Sequence, residues 1–406
     1  MKRNVSRKDF IKNSALGFAG LAITDFSGIN ILKNKKDKVN VAFIGTGNRG
    51  HGLIYTIKHN NISQLNITAC CDMMPDNLKR GIARAGGGSV KALTDYRRVL
   101  DDKSIDAVFI TTPIFEHYPM AMDAISAGKH IYLEKTMTTD INQAVELARR
   151  MKREKKLVLQ VGHQYRYYDM YPQLKSFLAE NLIGKVTRIE CQYNRNSDWE
   201  NGYAKDPKTG KIVNWRLYQH LSGGLLGELS SHQIDVANWL MDATPEKVVA
   251  MGDVNFFKND DRTCWDNVHA VYNYPNGVKM NVISILSNEF DGYRMRLFGN
   301  EGTIEIGRNK STLYLERKKK EKIILDGVTG ATKEALDNGK GIDIYTDKVG
   351  KDQSVYALEA FADCIINNKK PFCDAEKGMQ TAISVHMANN AVESGKTEVW
   401  KKEYNL

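Results

Sequence analysis

The sequence is poor in several features that define major classes of protein. Only 8 of its 406 residues are proline, and no apolar run reaches the ~20 residues that a membrane-spanning helix requires. A proline-rich linker protein, a collagen-like chain and a multi-span membrane protein are therefore excluded. With 42% hydrophobic and 26% charged residues, the composition is that of a soluble globular protein. The length suggests two or three domains of about 150 residues each.

Cysteines are few, and their spacing is not that of a metal site. The six are Cys70, Cys71, Cys191, Cys264, Cys364 and Cys373. A disulfide framework is unusual in a chain of this length, so we expect buried free thiols. They do not settle the redox compartment.

The net charge of +10 is unevenly distributed. Residues 1–38 hold nine Lys/Arg against three Asp, a net of +6, so the remaining body carries only +4. Such a body is nearly balanced, and its lysine clusters are typical of solvated faces. We therefore expect no nucleic-acid partner.

The N-terminal segment has the pattern of a targeting sequence. Residues 1–12 are basic, and the apolar stretch 14–23 has the length of a signal-peptide core. Residues 6–12 (SRKDFIK) resemble the twin-arginine export signal, with Lys8 in place of the second arginine. We expect export to the periplasm. The alternative is an N-terminal arm on a cytoplasmic protein.

The strongest motif is GTGNRG at residues 45–50, which follows an apolar strand at 39–44. In a G-x-G-x-x-G loop the first glycine permits the tight turn, the second lets backbone approach a pyrophosphate, and the third allows close helix packing. This arrangement predicts dinucleotide binding. The predicted loop comprises Gly45, Thr46, Gly47, Asn48, Arg49 and Gly50.

A second strand at 65–71 ends in Asp72, about 20 residues beyond the glycines. A carboxylate there accepts hydrogen bonds from the adenosine ribose and repels a 2′-phosphate. Met73 and Met74 offer no arginine for that phosphate, and Lys79 and Arg80 lie further along the next helix. The sequence therefore predicts NAD rather than NADP.

Strands and helices then alternate over about 120 residues. We expect strands at 106–111, 130–133 and 157–161 and helices at 120–128 and 141–153. This alternation predicts an α/β fold, a doubly wound Rossmann sheet of parallel strands, with ligands at the carboxyl ends. The polar residues at those ends are Asp72, Thr112, Glu134, Lys135 and Gln164.

These residues resemble the Gfo/Idh/MocA oxidoreductases, over about residues 39–400. The glycine loop, Thr111-Thr112-Pro113 and Glu134-Lys135 carry the resemblance, together with His117 and Gly128-Lys129-His130. The usual Glu-Lys-Pro reads Glu134-Lys135-Thr136 here. The resemblance implies a further set of cofactor contacts: Thr112, Pro113, His117, Glu134, Lys135 and Gln164.

The second family signature is a glycine pair followed by an acid and a histidine, read here as GGLLGELSSH at 223–232. On a helix Glu228 and His232 are four apart and share a face. The resemblance implies that His232 works with Lys135 in proton transfer, with Glu228 where the family commonly has Asp. The chemistry agrees, because histidine titrates near neutral pH and a lysine stabilises a developing alkoxide.

Further candidates for substrate contact are aromatic or arginine side chains near the same elements. They are Tyr165, Arg166, Trp215, Arg216 and Tyr293. Such side chains suit a polyhydroxylated ligand, although Trp215 equally suits packing in a domain interface. His163 and His220 have no metal-ligand context, and we expect no catalytic metal.

From about residue 185 the pattern changes to longer extended runs, at 186–193, 248–254, 268–274 and 278–286, with a turn and strand at 299–306. They predict an α+β domain with a large open, mainly antiparallel sheet. A loop excursion is expected at 325–350 and closing helices at 354–367 and 375–394, which could pack back on the first domain. The expected divisions are 1–38, 39–163 and 164–406. The resemblance implies a homodimer or homotetramer through the open sheet.

The function predicted is NAD(P)-dependent oxidation of a secondary hydroxyl on a sugar, glycoside or cyclitol. One alternative is a redox-neutral glycosidase that retains its NAD, because an exported enzyme meets no free NAD pool. The Tyr-Pro-Thr-His string of such glycosidases is absent. A non-catalytic sugar or nucleotide binder is the third possibility.

Overall fold

The computed structural model describes residues 37–200, 210–316 and 341–406. Its first sheet has six strands, all paired in parallel, in the order β3-β2-β1-β4-β5-β6. The strands are β1 Val39–Ile44, β2 Leu65–Cys71, β3 Lys91–Leu93, β4 Ala107–Ile110, β5 His130–Leu133 and β6 Leu159–Val161. This confirms the predicted doubly wound sheet. The strands β2 and β3 lie on one side of β1, and β4, β5 and β6 lie on its other side. This switch in strand order opens a crevice at the carboxyl ends of β1 and β4.

Helices cover this sheet because each crossover between parallel strands needs one. They are α1 Asn48–His59, α2 Pro75–Ala85, α3 Tyr96–Asp101, α4 His117–Ser126 and α5 Ile141–Arg153. The start of α5 shows the local cause: Asp140 accepts a hydrogen bond from the Gln143 amide, 3.0 Å away. Three basic residues then occupy its last turn, where they complement the helix dipole.

The second sheet has nine strands, in the order β14-β13-β12-β11-β7-β10-β9-β8-β15. Only β7 and β10 pair in parallel, so the predicted mainly antiparallel sheet is confirmed. The strands are β7 Val186–Tyr193, β8 Lys247–Asp253, β9 Asn267–Asn273, β10 Lys279–Ile285, β11 Tyr293–Gly299, β12 Gly302–Ile306, β13 Lys310–Leu315, β14 Ile342–Thr346 and β15 Glu398–Val399. Burial alternates along them, so one face is covered and the other open.

The remaining helices join the two sheets. They are α6 Met170–Ala179, α7 Gly210–Val213, α8 Gln219–Ser222, α9 Ser231–Leu240, α10 Ser354–Asn367 and α11 Ala375–Ser394. Helix α10 returns to the first sheet, where the Phe361 ring lies 5.4 Å from Phe109 and 5.6 Å from Tyr132, centroid to centroid. None of the helices in the described ranges is both long and apolar enough to cross a membrane.

Two local predictions differ from the structure. The predicted loop excursion at 325–350 contains strand β14, which pairs with β13; its residues 325–340 lie outside the described ranges. The short edge strand β3 was not predicted, because Lys91–Leu93 is too short to show a period and is largely exposed. The N-terminal segment that resembles an export signal also lies outside the described residues.

Candidate functional site

The loop after β1 has room for glycine alone at two of its three glycine positions. A Cβ on Gly45, whose φ is +90°, would lie 2.8 Å from the backbone of Thr111 and Thr112. A Cβ on Gly50 would lie 2.1 Å from the Gly45 carbonyl oxygen. Gly47 differs, because the nearest atom to its missing Cβ is the Asn77 side-chain nitrogen at 3.8 Å. The loop is therefore packed against the sheet and open on the outer side at Gly47.

Helix α1 begins with its backbone N–H groups uncapped. Its N-cap residue is Gly47, no side chain caps it, and its first turn carries no acid. Free N–H groups and the helix dipole together favour an anion at this end. Arg49 in the same turn donates from Nε to Glu134 Oε1 at 2.7 Å, which ties the loop to the end of β5.

Asp72 is fixed beside the glycine loop by two backbone donors. Its Oδ2 accepts from the Thr46 amide at 2.7 Å, and its Oδ1 accepts from the Met74 amide at 2.8 Å. Lys79 and Arg80 line the same cavity as Asp72. The sequence suggests that these two cations lie too far along α2 to matter, yet the structure places both in the wall.

One cavity of about 1360 Å³ is lined by the carboxyl ends of the parallel strands and by helical segments of the second half of the chain. It contains most of the side chains predicted to act: Gly45, Gly47, Asn48, Arg49, Asp72, Thr112, Pro113, His117, Glu134, Lys135, Gln164, Trp215, Arg216, Glu228 and His232. Thr46 and Gly50 lie buried behind the loop. The cavity's size and its one-sided access fit an extended ligand with a second, smaller molecule beside it.

His117 lines the cavity and contacts the segments that follow β4 and β5. Its Nδ1 lies 2.9 Å from the Thr136 carbonyl oxygen and its Nε2 lies 3.1 Å from that of Thr112. Burial lowers the pKa of His117, and its two backbone contacts only partly oppose this. A neutral ring has one N–H, so it donates to one of these two carbonyls, and the ring lies between the segments that follow β4 and β5.

Lys135 reaches across the cavity from the first sheet to the second half. Its Nζ donates to the Glu228 carbonyl oxygen at 2.8 Å and lies 3.5 Å from both the Gly227 carbonyl oxygen and Glu228 Oε1. The following peptide, Lys135–Thr136, is cis. The lysine ammonium is thus held at the junction of the two halves.

The segment that receives Lys135 is a π-helical turn, Leu226–Ser230, followed directly by α9. The prediction of one regular helix through Glu228 and His232 is wrong in this respect. The Gly227 carbonyl accepts from Thr136 Oγ1 at 2.8 Å and from Ser231 Oγ at 2.6 Å. Widened turns of this kind occur often at functional sites.

Glu228 is buried between two cations. Its Oε2 accepts from Arg216 Nε at 2.5 Å, opposite the contact of its Oε1 with Lys135. Burial alone would raise the pKa of Glu228, but the charges of Lys135 and Arg216 outweigh it and lower the pKa. The carboxylate is therefore ionised at neutral pH.

The surroundings of His232 favour the neutral form of its imidazole ring. The side chain is 8% exposed, and its ring lies 4.9 Å from the Tyr165 ring and 6.0 Å from the His163 ring, centroid to centroid. Burial and then the charge of Lys135 lower its pKa well below 6.5. Its Nδ1 has no hydrogen-bond partner in the described part of the chain. A neutral imidazole in this position is able to accept a proton.

Two family models match the chain along most of its length. Residues 39–163 match the model described as an oxidoreductase family with an NAD-binding Rossmann fold, and residues 175–400 match that family's C-terminal alpha/beta domain. The chain belongs to the Gfo/Idh/MocA oxidoreductase family. The resemblance found in the motifs is thereby confirmed.

Relatives within the Gfo/Idh/MocA family include enzymes named for cyclitols and anhydrosugars. An inositol 2-dehydrogenase/D-chiro-inositol 3-dehydrogenase of Lactiplantibacillus plantarum is 24% identical over 50% of this chain and 51% of its own. Levoglucosan dehydrogenase of Pseudarthrobacter phenanthrenivorans is 30% identical over 38% of this chain and 37% of its own. The matches thus span 51% of the first relative and 37% of the second.

Solved structures of Gfo/Idh/MocA proteins share the fold. A levoglucosan dehydrogenase in complex with NADH and levoglucosan has a TM-score of 0.72 at 19% identity, over 90% of this chain and all of that one. At this level of identity the likeness shows the fold.

Three predicted substrate residues of this Gfo/Idh/MocA protein lie outside the cavity wall. Arg166 forms a buried ion pair, Nε to Asp235 Oδ2 at 2.8 Å, and Thr381 donates to the same carboxylate. Tyr293 and Tyr171 share a hydrogen bond between hydroxyls, 2.7 Å apart. Tyr165 lies behind His232, 6% exposed.

His163 is a candidate that sequence reasoning passed over. It is 1% exposed, both its ring nitrogens lack a partner in the described part of the chain, and its ring stands perpendicular to that of His232. Burial lowers its pKa, so it is neutral too. Its place just after β6, at the carboxyl edge of the sheet, is the signal that could have found it. Within the described ranges no group of three or more His, Cys, Asp or Glu side chains could hold a metal ion.

Proposed function

We propose that this protein is an NAD-dependent oxidoreductase that acts on a secondary hydroxyl of a sugar, glycoside or cyclitol. The observation that carries the proposal is that Lys135 and His232, from opposite halves, line one cavity with the glycine loop. The named activities of the inositol and levoglucosan relatives support this substrate class, since their substrates carry several secondary hydroxyls.

The cofactor end of the cavity fits a dinucleotide on three grounds. Gly45 and Gly50 leave no space for a Cβ, Gly47 leaves its outer side open, and the N-terminus of α1 is uncapped. The pyrophosphate would lie against these N–H groups, and Asp72 would face the adenosine ribose. We propose NAD over NADP because the fixed Asp72 carboxylate repels a 2′-phosphate. When bound, the nicotinamide supplies the hydride acceptor.

The chain's own residues supply the proton chemistry. Neutral His232 accepts the hydroxyl proton as the alcohol is oxidised. The Lys135 ammonium, with three donors of which the Glu228 carbonyl takes one, orients that hydroxyl and stabilises the negative charge on its oxygen. Ionised Glu228 lies between Lys135 and Arg216 and balances their positive charges. In the reverse direction the same groups return the proton.

The wall beyond Glu228 suits a polyhydroxylated ring. The Arg216 guanidinium lies 4.4 Å from the Trp215 ring centroid, and 40% of the Arg216 side chain is exposed. The stacked pair presents an apolar face beside hydrogen-bond donors, a combination that recognises sugar rings.

The test is turnover on a panel of cyclitols, hexoses and anhydrosugars with NAD and with NADP, followed by NADH or NADPH absorbance. We expect NADH formation on at least one member of the panel, with NADP the poorer acceptor. Absence of reduced nucleotide on every member, with nucleotide binding intact, would contradict the proposal.

A second candidate, the redox-neutral glycosidase, has one observation in its favour. An elimination step needs a base for a C–H proton besides the group that handles the hydroxyl, and His163 is a second neutral imidazole beside His232. Denaturing release of nucleotide from undialysed protein, with mass identification, separates the two. Stoichiometric NAD(H) with aglycone release supports the glycosidase, and an empty protein that binds added NAD supports the dehydrogenase.

We also propose export to the periplasm and assembly into a homo-oligomer. The open face of the second sheet carries exposed aliphatic side chains on neighbouring strands, Val249 at 47%, Met251 at 78% and Val271 at 42%, which a second copy would cover. Cell fractionation tests the first. Sedimentation of the wild type against Met251→Glu tests the second, with a shift to smaller species expected.

A further inference from the structure

Two arginines contact the side chain of one tyrosine, which is the last residue of strand β7. Arg195 and Arg308 each donate to the Tyr193 hydroxyl, at 3.3 Å and 3.4 Å. Their guanidinium carbons lie 5.3 Å and 5.4 Å from the centroid of the Tyr193 ring. Both arginines are exposed, whereas Tyr193 is buried. We call Arg195 and Arg308 the arginine pair.

In the described part of the chain, no carboxylate forms an ion pair with either arginine. The groups that act on the charge of Arg308 are the phenols of Tyr193, Tyr165 and Tyr293, none of them a carboxylate. Other arginines of this sheet are paired: Arg188 with Glu190, Arg294 with Asp291, and Arg296 with Glu305. Two adjacent positive charges without a counter-charge repel each other, so an anion would stabilise the arrangement.

The two arginines also favour negative charge on the Tyr193 oxygen to which they donate. Burial would raise the pKa of Tyr193, but Arg308 and Arg195 outweigh burial and lower it. A carboxylate or sulfate oxygen at the same position would gain from the same two donors, with the planar fork that guanidinium groups offer to such anions.

Ring contacts and hydrogen bonds connect the arginine pair to the proposed active site along two routes. A run of ring contacts leads from His232 to Tyr165 at 4.9 Å, from Tyr165 to Tyr293 at 5.6 Å, and from Tyr293 to Tyr193 at 5.3 Å. The Arg308 guanidinium also stands over the Tyr293 ring, 5.6 Å from its centroid.

The second route runs through the cofactor side. The Arg308 carbonyl accepts from Gln353, and the next residue, Ser354, accepts from Arg49 of the glycine loop at 3.4 Å. The hairpin that carries Arg308 is therefore connected to the loop proposed to hold the pyrophosphate. The charge of Arg308 also acts on His232, since it is one of the charges that lower the His232 pKa.

We propose that Arg195 and Arg308 form a subsite for an anionic group of the substrate, so that the protein acts on an acidic sugar, a uronate or a sulfate ester. The inference rests on the proposed function, since it names the class of sugar that the same site would take. Tyr193 positions the two guanidinium groups, and the secondary hydroxyl to be oxidised lies towards His232.

The experiment is calorimetric titration of the NAD-loaded full chain with matched sugars. The probes are D-glucuronate against D-glucose, D-galacturonate against D-galactose, and D-glucose 6-sulfate against D-glucose. We expect at least one charged member to bind about tenfold or more tightly than its neutral partner, as two charge-assisted hydrogen bonds provide. The carboxylate and sulfate pairs identify which anion is taken, and added salt should reduce the preference.

The double variant Arg195→Gln/Arg308→Gln should bring the two members of the preferred pair close to equal affinity. Arg308→Lys keeps the charge and loses the fork, so part of the preference should remain. Arg188→Gln, an exposed arginine on the same strand as Tyr193, is the matched control and should leave the preference unchanged. Thermal melts of each variant verify that the fold is retained.

Two outcomes overturn the inference: no pair shows a preference for the anion, or the preference persists in the double variant. Failure of the proposed function looks different. If the arginine-dependent preference is present but no sugar yields NADH, the subsite stands and the oxidoreductase proposal fails. If neutral sugars yield NADH without any anion preference, the oxidoreductase proposal stands and the subsite fails.

Discussion

The two halves of the molecule present their polar residues in different ways. In the parallel sheet every strand ends at the same edge, so Asp72, Thr112 and Lys135 meet although about 60 residues separate the first from the last. In the antiparallel sheet alternate strands end at opposite edges, and residues come together that no local pattern connects, as Arg195 and Arg308 do. Motifs therefore locate the glycine loop and Lys135 in the first half and Glu228 and His232 in the second, whereas only the fold brings Arg195 and Arg308 together.

The largest effect should come from removing one group of the proton-transfer pair, which draws one member from each half. We expect Lys135→Met and His232→Asn each to lower turnover by about 10²–10⁴-fold, because each supplies proton transfer or charge stabilisation at the same oxygen. NADH absorbance gives the rate, and fluorescence titration should show nucleotide binding retained. A loss of less than about tenfold in either variant would remove that residue from the mechanism.

The connection between the halves can be broken at Arg166, whose buried pair with Asp235 joins the edge of the parallel sheet to α9. Arg166→Met should lower the free energy of unfolding by about 3–5 kcal/mol, because it leaves a buried carboxylate unpaired. Urea unfolding measures this. Arg166→Met/Asp235→Leu should recover much of the loss, since neither charge then remains. A double variant as unstable as the single one would contradict the ion-pair explanation.

The glycine loop offers a matched pair of substitutions on one helix. Gly50→Ala places a Cβ against the Gly45 carbonyl, and we expect at least about tenfold weaker NAD binding because the helix start must move. Gly52→Ala meets nothing within 4 Å and should leave binding unchanged while stabilising the helix by about 1 kcal/mol. Calorimetric titration and thermal melts compare them. Equal affinities would show that the loop tolerates displacement.

Substitution of Asp72 tests whether the first half of the chain alone determines the choice between NAD and NADP. Asp72→Ala removes the carboxylate that faces the proposed ribose position and leaves Lys79 and Arg80 in the wall. NAD affinity should fall by about tenfold to a hundredfold, as for the loss of one hydrogen bond to a charged group, and NADP affinity should rise. Binding titrations with both nucleotides measure it. An unchanged NADP affinity would place the discrimination elsewhere.

The smallest effect is a slope of stability with pH. Burial lowers the pKa values of His117, His163, His232 and His386, so the unfolded chain binds more protons than the folded one below about pH 6.5. The free energy of unfolding should therefore be level above about pH 7 and fall as the pH drops towards about 5. Glu228 and Asp235, whose pKa values are lowered, add to the fall only at more acid pH. Stability that rises between about pH 7 and 5 would show that these rings are charged in the folded state.

Sequence patterns were sufficient for the parallel sheet, the glycine loop, and the helices at 354–367 and 375–394. The period of apolar residues and the position of glycines determine these features locally. They were insufficient for the widened turn at Glu228, since an extra residue per turn leaves no distinct pattern. Sequence patterns also did not distinguish Arg166, which forms a buried ion pair, from Arg216, which lines the cavity. That difference depends on Asp235, 69 residues away.

The direction in which the His232 side chain points depends on the number of residues in the widened turn Leu226–Ser230. Each residue added to or removed from a helix rotates everything beyond it by about 100°. A single deletion in this turn would leave every side chain of the site present in the sequence, yet His232 would point about a quarter-turn away from Lys135. The number of residues in this turn therefore sets the orientation of the imidazole relative to the acid.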